Sequence, residues 1–352
     1  MSKHVVAFLP NWIGDVVMAT PTLRALHKHF GQTGCVTGVM KPYVHRVLEG
    51  TPWLDQILFY DSKSSIPQQS NWAVARKLRR MRPDVVVYLS SSLKPALIGW
   101  WSCARQRVGY AKNGRTPFLT HRLVPPRRER NCPPPSLVNC FLELAYAVGC
   151  PIEEPQLELA VSEADVRGAE IVWKNLQLDA CSEVVMVNFG AAGGKARLWP
   201  EAYYLELAHA LVRDPQRAVL VLCGPKEREA ASQLERMAAH PRIRSMAEQD
   251  LTLGVSKACL LRGHALVTTD SGPRHIAAAL QVPTVLLAGP VDPRLTCNYN
   301  PWEIAVHTSL PCQPCWRHEC ALGHVRCMRE LDPQWVYRAV LQLLSETSRR
   351  AA

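Results

Sequence analysis

Three short stretches of this 352-residue chain bring together side chains able to carry out a group transfer. The first is NWIGDVVMATPTLRAL, residues 11–26, directly after an apolar run at 4–9. Gly14 permits a tight turn, and Asp15 falls at the start of a helix. A helix dipole holds a carboxylate there in its anionic form, so it stays ionised at neutral pH and can act as a general base on an attacking hydroxyl. The same placement also suits a plain helix cap. Asn11 and Trp12 offer an amide and an aromatic face on which a sugar could be positioned.

The second stretch is FGAAGGKARLWP, residues 189–200. Its glycines, Gly193 among them, let backbone N–H groups approach a phosphate closely, and Lys195 and Arg197 add positive charge. It matches neither a Walker sequence nor a dinucleotide fingerprint. The third is VTTDSGPRHIAAAL, residues 267–280. Asp270, Ser271 and Gly272 form a turn, and Pro273 suits the first helical position. The amides that follow make an anion site, with His275 in the first turn. A loop at 289–296 follows the next apolar run and could close that pocket. Asp250, with Glu248 as its rival, stands before another helix, where it could accept bonds from a ribose diol or simply cap. No D-x-D sequence occurs. The helix N-terminus with Lys195 and Arg197 could neutralise a diphosphate without metal, so no cofactor is required.

These loops need a scaffold, and the hydrophobic pattern describes one. Apolar runs at 4–9, 35–40, 84–89, 184–189, 218–223, 264–268 and 284–288 alternate with amphipathic stretches such as 70–81, 201–213, 226–239 and 251–261. That alternation means parallel sheets with helices on both faces, whose ligands bind beyond the carboxyl ends of the strands. The length fits two domains. The basic, Pro-rich stretch 111–136 reads as a surface loop, and 151–182 as the linker to a second α/β unit beginning near Ser182. A last amphipathic segment is expected over 333–345.

Composition narrows the function classes. No secretory signal is evident, and no run reaches the roughly 18 apolar residues needed to span a bilayer; a cytoplasmic protein is expected. The formal charge of +11 points either to a solvated basic surface or to an anionic partner. Nucleic acid is disfavoured, because the basic residues lack interleaved aromatics and no recognised motif is present. Most of the thirteen cysteines sit in apolar segments. Cys312, Cys315, Cys320 and Cys327 instead form a C-x2-C-x4-C-x6-C cluster. It is compatible with structural zinc, with His318 and His324 as substitute ligands, and also with free or paired thiols.

Taken in order, these motifs resemble the ADP-heptose:lipopolysaccharide heptosyltransferases over nearly the whole chain. NWIGDVVMATPTLRAL resembles the family's opening motif and TTDSGPRHIAAAL its donor motif. SSSLKPALIGWW (90–101) resembles an acceptor-domain segment, and CQPCWRHECALGHVRC a C-terminal one. The resemblance implies a GT-B fold with two Rossmann-like domains facing across a cleft. Residues 1–165 would bind the acceptor and 180–330 the nucleotide-sugar, with a helix in 331–352 packing back on the first domain. It implies ADP-heptose as donor and the heptosylated, Kdo-bearing lipid A precursor as acceptor, met at the inner face of the inner membrane. Asp15 would be the base of an inverting displacement. The donor would meet Gly193, Lys195, Arg197, Asp250, Asp270, Ser271, Gly272 and His275, and the acceptor Asn11, Trp12 and Lys94. Three departures stand out: Arg197 where the family usually has Lys, Pro273-Arg274 where an aliphatic-led pair is usual, and FGAAGG for a Pro-Gly-Ala opening. On the acceptor side, Arg127, Arg128 and Arg130 are expected to draw the protein to an anionic leaflet.

Overall fold

A computed structural model describes residues 3–126, 135–190 and 194–351, with side chains described as far as residue 346. The chain divides into two compact units. One comprises Met1–Ala160 with Arg294–Asn298, the other Val161–Pro293 with Tyr299–Ala352.

The first unit is built on strands β1 (His4–Phe8), β2 (Cys35–Met40), β3 (Gln56–Phe59), β4 (Val85–Tyr88), β5 (Gln106–Tyr110) and β6 (His121–Leu123), in the order β3-β2-β1-β4-β5-β6. The second is built on β7 (Glu183–Asn188), β8 (Arg217–Leu222), β9 (Ile243–Ser245), β10 (Ala265–Thr269), β11 (Thr284–Ala288) and β12 (Glu303–His307), in the order β12-β11-β10-β7-β8-β9. Every pairing is parallel. The central strands read as unbroken apolar runs because helices cover both of their faces: β1, β4, β7, β10 and β11 are buried almost throughout.

Each sheet has the doubly wound Rossmann order, first strand beside fourth, so the strand order reverses between β1 and β4 and again between β7 and β10. At such a reversal the helices on either side diverge and leave a crevice at the carboxyl ends. The loops singled out from the sequence leave these strands: 9–15 leaves β1, 89–94 leaves β4, 189–197 leaves β7 and 270–275 leaves β10.

One expectation is corrected. Residues 111–136 are not all loop, since β6 pairs there with β5; its three residues are too few and too polar to show in a hydropathy pattern. The division between the units falls at Val161, inside the 151–182 stretch read as the linker. Up to Glu158 the chain is strapped to the first unit by Arg24, which donates to the Glu154 carbonyl (2.8 Å) and the Gln156 carbonyl (3.1 Å) and pairs with Glu153 and Glu158. Beyond it, the helix Glu163–Asn175, opened by a Ser162–Asp165 capping box, packs on the helix Leu253–Arg262 of the second unit. The terminal helix Pro333–Ala351 packs on the helix Glu201–Leu211 and on β10, β11 and β12 of its own unit. Its stripe Val336, Val340, Leu343, Leu344 is buried there, at the i, i+4, i+7, i+8 spacing of one helix face.

Candidate functional site

In the second unit the chemistry gathers where β7 and β10 end. The helix Gly272–Ala279 starts at Ser271, whose side chain makes no cap. The Ser271 hydroxyl is engaged sideways instead, accepting from Asn188 Nδ2 (3.3 Å) and lying 3.2 Å from Thr268 Oγ1. No side chain of the cap residue therefore covers the first-turn amides, where a helix attracts an anion.

Asp270 does not present its carboxylate outward. It is buried, 2.7 Å from Arg274 Nη1, 3.4 Å from Arg197 Nη1 and 3.7 Å from His275 Nε2. Burial alone would raise its pKa, but the nearby His275 and the hydrogen-bonded charge of Arg274 hold it well below the ordinary carboxylate range. Arg274 is fully buried. It bridges Asp270 to Glu303, donating from Nε (2.9 Å) and Nη2 (2.7 Å) to the two Glu303 oxygens. Sequence reading noted Arg274 but found no work for it; an arginine inside the first turn of an otherwise apolar helix was the signal of a buried partner.

Of the two basic residues after the glycines, Arg197 is the one turned to this turn: its Nη1 donates to the Asp270 carbonyl (2.8 Å). Lys195 is exposed. Among the described residues, the Nε of Arg197 and the Nδ1 of His275 are both buried with no hydrogen-bond partner. Buried polar atoms in native folds are nearly always satisfied, so two orphans beside an uncapped helix N-terminus mark a place for a ligand that accepts hydrogen bonds. Gly193 lies outside the described residues. Gly194 has φ +107° and no room for a side chain, because a Cβ would collide with the His318 backbone. Asp250 is exposed, and the helix that follows it is capped by Thr252, which accepts from the Val255 amide (3.1 Å). Glu227, which sequence reading did not single out, reaches this loop from the end of β8: it accepts from the Gly224 amide (2.8 Å) and occupies the space beside Gly190.

The cysteine segment belongs to the same neighbourhood. The His318 carbonyl accepts from the Ala196 amide (3.0 Å), while Cys315 and Trp316 donate backbone bonds to Pro290, so the segment braces the glycine loop and the loop after β11. Its four cysteines are free thiols. Burial, then the charges of Cys315, Cys312 and Cys320, push the Cys327 thiol up to about 11. The backbone amides of residues 322–325, Val325 foremost, lower the pKa of Cys320. Among the described residues no three His, Cys, Asp or Glu side chains converge as a metal-holding group.

In the first unit, Asp15 lies in the first turn of the helix Ile13–Met18, whose cap position is taken by Trp12. Buried Val16, Val17 and Met18 fix this short helix, leaving Asp15 half-exposed. It interacts electrostatically with Lys112, on the turn after β5: burial and the Arg115 charge lower the Lys112 pKa, while Cys140 and Asp15 pull it back up. A cavity of ≈170 Å³ opens at the carboxyl ends of β1, β2 and β4. It brings together Asn11 and Lys94, as expected for one binding surface, and adds Lys41, Tyr60 and Ser90, which sequence reading missed. Each follows a strand, and a survey of every strand-to-helix loop would have found them. Among the described residues, the Ser90 hydroxyl is buried without a partner. Buried Arg115 donates to the Ser90 and Tyr110 carbonyls, and Asn113 to the Ser91 carbonyl (3.1 Å), so the 90–92 loop is held from below. Trp12 is exposed and outside that lining. A larger cavity, ≈420 Å³ between Tyr110, Leu123, Asn139 and Tyr146, contains none of the expected residues. Arg127, Arg128 and Arg130 lie outside the described residues.

Comparison with known proteins adds the family. The profile of glycosyltransferase family 9 (heptosyltransferase) matches residues 71–326. The chain is 25% identical to lipopolysaccharide heptosyltransferase 2 of Salmonella typhimurium, over 96% of this chain and 97% of that one. Among solved structures, a glycosyl transferase family 9 protein from Veillonella parvula superposes with a TM-score of 0.82 at 21% identity, covering 98% of this chain and 99% of that one. The ADP-heptose lps heptosyltransferase II of E. coli gives 0.79 at 22% identity, with the same coverage.

Proposed function

The chain belongs to glycosyltransferase family 9, the heptosyltransferases, and on that premise we propose that it transfers heptose from ADP-heptose to the heptosylated, Kdo-bearing lipid A inner core of lipopolysaccharide. Its two Rossmann-like domains are of the GT-B class. The observation that carries the donor side is the first turn of Gly272–Ala279, an uncapped helix N-terminus flanked by the unpartnered Arg197 Nε and His275 Nδ1. A diphosphate supplies the negative charge and the acceptor oxygens these groups lack. Exposed Asp250 is then available to the ribose hydroxyls.

In this reading Asp15 takes the proton of the acceptor hydroxyl as that oxygen attacks the anomeric carbon. The bond from that carbon to the diphosphate oxygen breaks, ADP leaves with the bonding electrons, and a single displacement inverts the centre. Charge developing on the leaving diphosphate is met by the helix amides, Arg197 and His275, which are already oriented before reaction. Asn11 and Lys94 hold the acceptor, with Trp12 beside them. Such an acceptor is anchored in lipid, so the same reading includes peripheral contact with an anionic membrane from the cytoplasmic side.

The test is ADP release from ADP-heptose with and without the lipid acceptor. Release that depends on acceptor is expected. Equal release without it, or no calorimetric binding of ADP, overturns the assignment.

A further inference from the structure

The first unit carries an exposed apolar surface that the transfer reaction does not use. The helix Leu93–Trp101 is apolar nearly all round. Pro95, Ala96, Ile98 and Gly99 face the core, while Leu93, Leu97, Trp100 and Trp101 lie on the outside at i, i+4, i+7 and i+8. Trp100 is 46% exposed and Trp101 41%. The neighbouring helix Asn71–Met81 adds Trp72, 61% exposed, whose ring meets that of Trp101 edge-on at 4.7 Å. Three tryptophans held in solvent by two packed helices are unusual, since such patches mark interaction sites.

The charge around them identifies the partner. Arg76 and Arg79 lie one and two turns from Trp72 on the same face, with Arg80 beside them. All three are exposed and none makes an ion pair among the described residues. Residues 62–126 hold twelve Lys and Arg against one acid, Asp84, so this stretch alone carries the +11 of the whole chain. Tryptophan beside arginine on an amphipathic surface matches the boundary of an anionic bilayer, where indole rings settle at headgroup level and cations meet lipid phosphates.

We propose that Trp72, Trp100 and Trp101, with Arg76, Arg79 and Arg80, form the surface by which the protein docks on an anionic lipid bilayer. This rests on the membrane contact that a lipid-anchored acceptor requires. The geometry gives that contact a use: Lys94 and Pro95 of the same helix line the ≈170 Å³ cavity. A nine-residue helix is about 13–14 Å long, so a sugar leaving the bilayer surface meets the cavity within one helix length.

The test is co-sedimentation of the full chain with vesicles of phosphatidylcholine, with and without phosphatidylglycerol. Wild type should bind the anionic vesicles, less so at high salt, and brominated lipid should quench its tryptophan emission. Trp72→Ser/Trp100→Ser/Trp101→Ser should lower partitioning on the order of tenfold or more, and Arg76→Gln/Arg79→Gln/Arg80→Gln should remove the preference for phosphatidylglycerol. Both variants should keep the wild-type melting transition and ADP affinity, which shows that they fold. Their turnover of detergent-dispersed acceptor should be unchanged. Absence of wild-type vesicle binding overturns the proposal. So does equal binding by the tryptophan variant, a concentration-dependent dimer that disappears only in that variant, or DNA binding tighter than vesicle binding. If wild type binds vesicles but turns over no acceptor, the surface stands and the transferase reading falls.

Discussion

Arg274→Leu is the substitution whose consequence the structure defines most sharply. Arg274 is 0% exposed and neutralises two carboxylates, Asp270 and Glu303, that are themselves nearly buried. Leucine fills part of the space but deprives both carboxylates of the arginine they share, leaving Asp270 only the longer contact with Arg197 at 3.4 Å. Removing one partner of a buried ionic network typically costs about 3–5 kcal/mol, and a domain of this size loses about 2–4 °C of Tm per kcal/mol, so a fall of roughly 6–20 °C is expected at pH 7. The pH dependence follows from the same contacts. In the wild type the depressed pKa of Asp270 contributes stability above its unfolded value of about 3.9, and that contribution is lost as pH falls through the still lower folded value. Without Arg274 the folded pKa of Asp270 rises, so protonation relieves the variant while the wild type is still ionised. The gap between the two should therefore be widest at neutral pH and narrow toward pH 4. Calorimetric scans at several pH values, following the transition that ADP shifts, measure this. Asp270→Asn/Arg274→Leu/Glu303→Gln should recover much of the loss, because both carboxylate charges are gone. A Tm within about 2 °C of wild type at pH 7, or a gap that widens on acidification, would refute the buried network.

The site itself yields further expectations. Asp15→Asn should retain ADP affinity and the wild-type melt while losing about 10²–10⁴-fold in kcat; a near-normal rate would leave Asp15 a structural residue of its helix. Arg197→Ala removes a charge-assisted contact worth about 1.5–3 kcal/mol, so calorimetry should show ADP binding weakened roughly 10- to 100-fold, with little change in acceptor KM. Lys94→Ala should raise the acceptor KM and leave ADP affinity intact; the opposite pattern would mean the two domains have been assigned the wrong ligands. Gly194→Ala faces both a left-handed φ and the His318 backbone, and should cost about 1–3 kcal/mol in stability together with a loss of ADP affinity.

Much of this protein was legible in its residues. Continuous apolar runs such as VVVY and TVLLA announce strands covered on both faces, and amphipathic stretches between them announce helices, so two parallel α/β domains follow from local pattern. Asp15, Arg197 and the 270–275 turn were visible because glycine, proline and charged residues cluster where a strand gives way to a helix. Short or partly polar strands such as HRL and IRS were not visible, since they carry too little periodicity to separate from loop. Local pattern also could not say which strands are neighbours. The 3-2-1-4-5-6 order that sets the β1 and β4 loops side by side, and the β7 and β10 loops likewise, is a property of long-range pairing. Nor could it say where a charged side chain points. Arg274 and Arg197 look alike in the sequence, yet one is buried against two carboxylates and the other donates from Nη1 to the Asp270 carbonyl beside the helix N-terminus. Trp100 and Trp101 end an apolar run in the sequence, yet their side chains stand in solvent. Sequence periodicity fixes which residues share a face of an element; only the packing of whole elements decides whether that face meets a core, a ligand or water, because burial energy depends on what lies opposite.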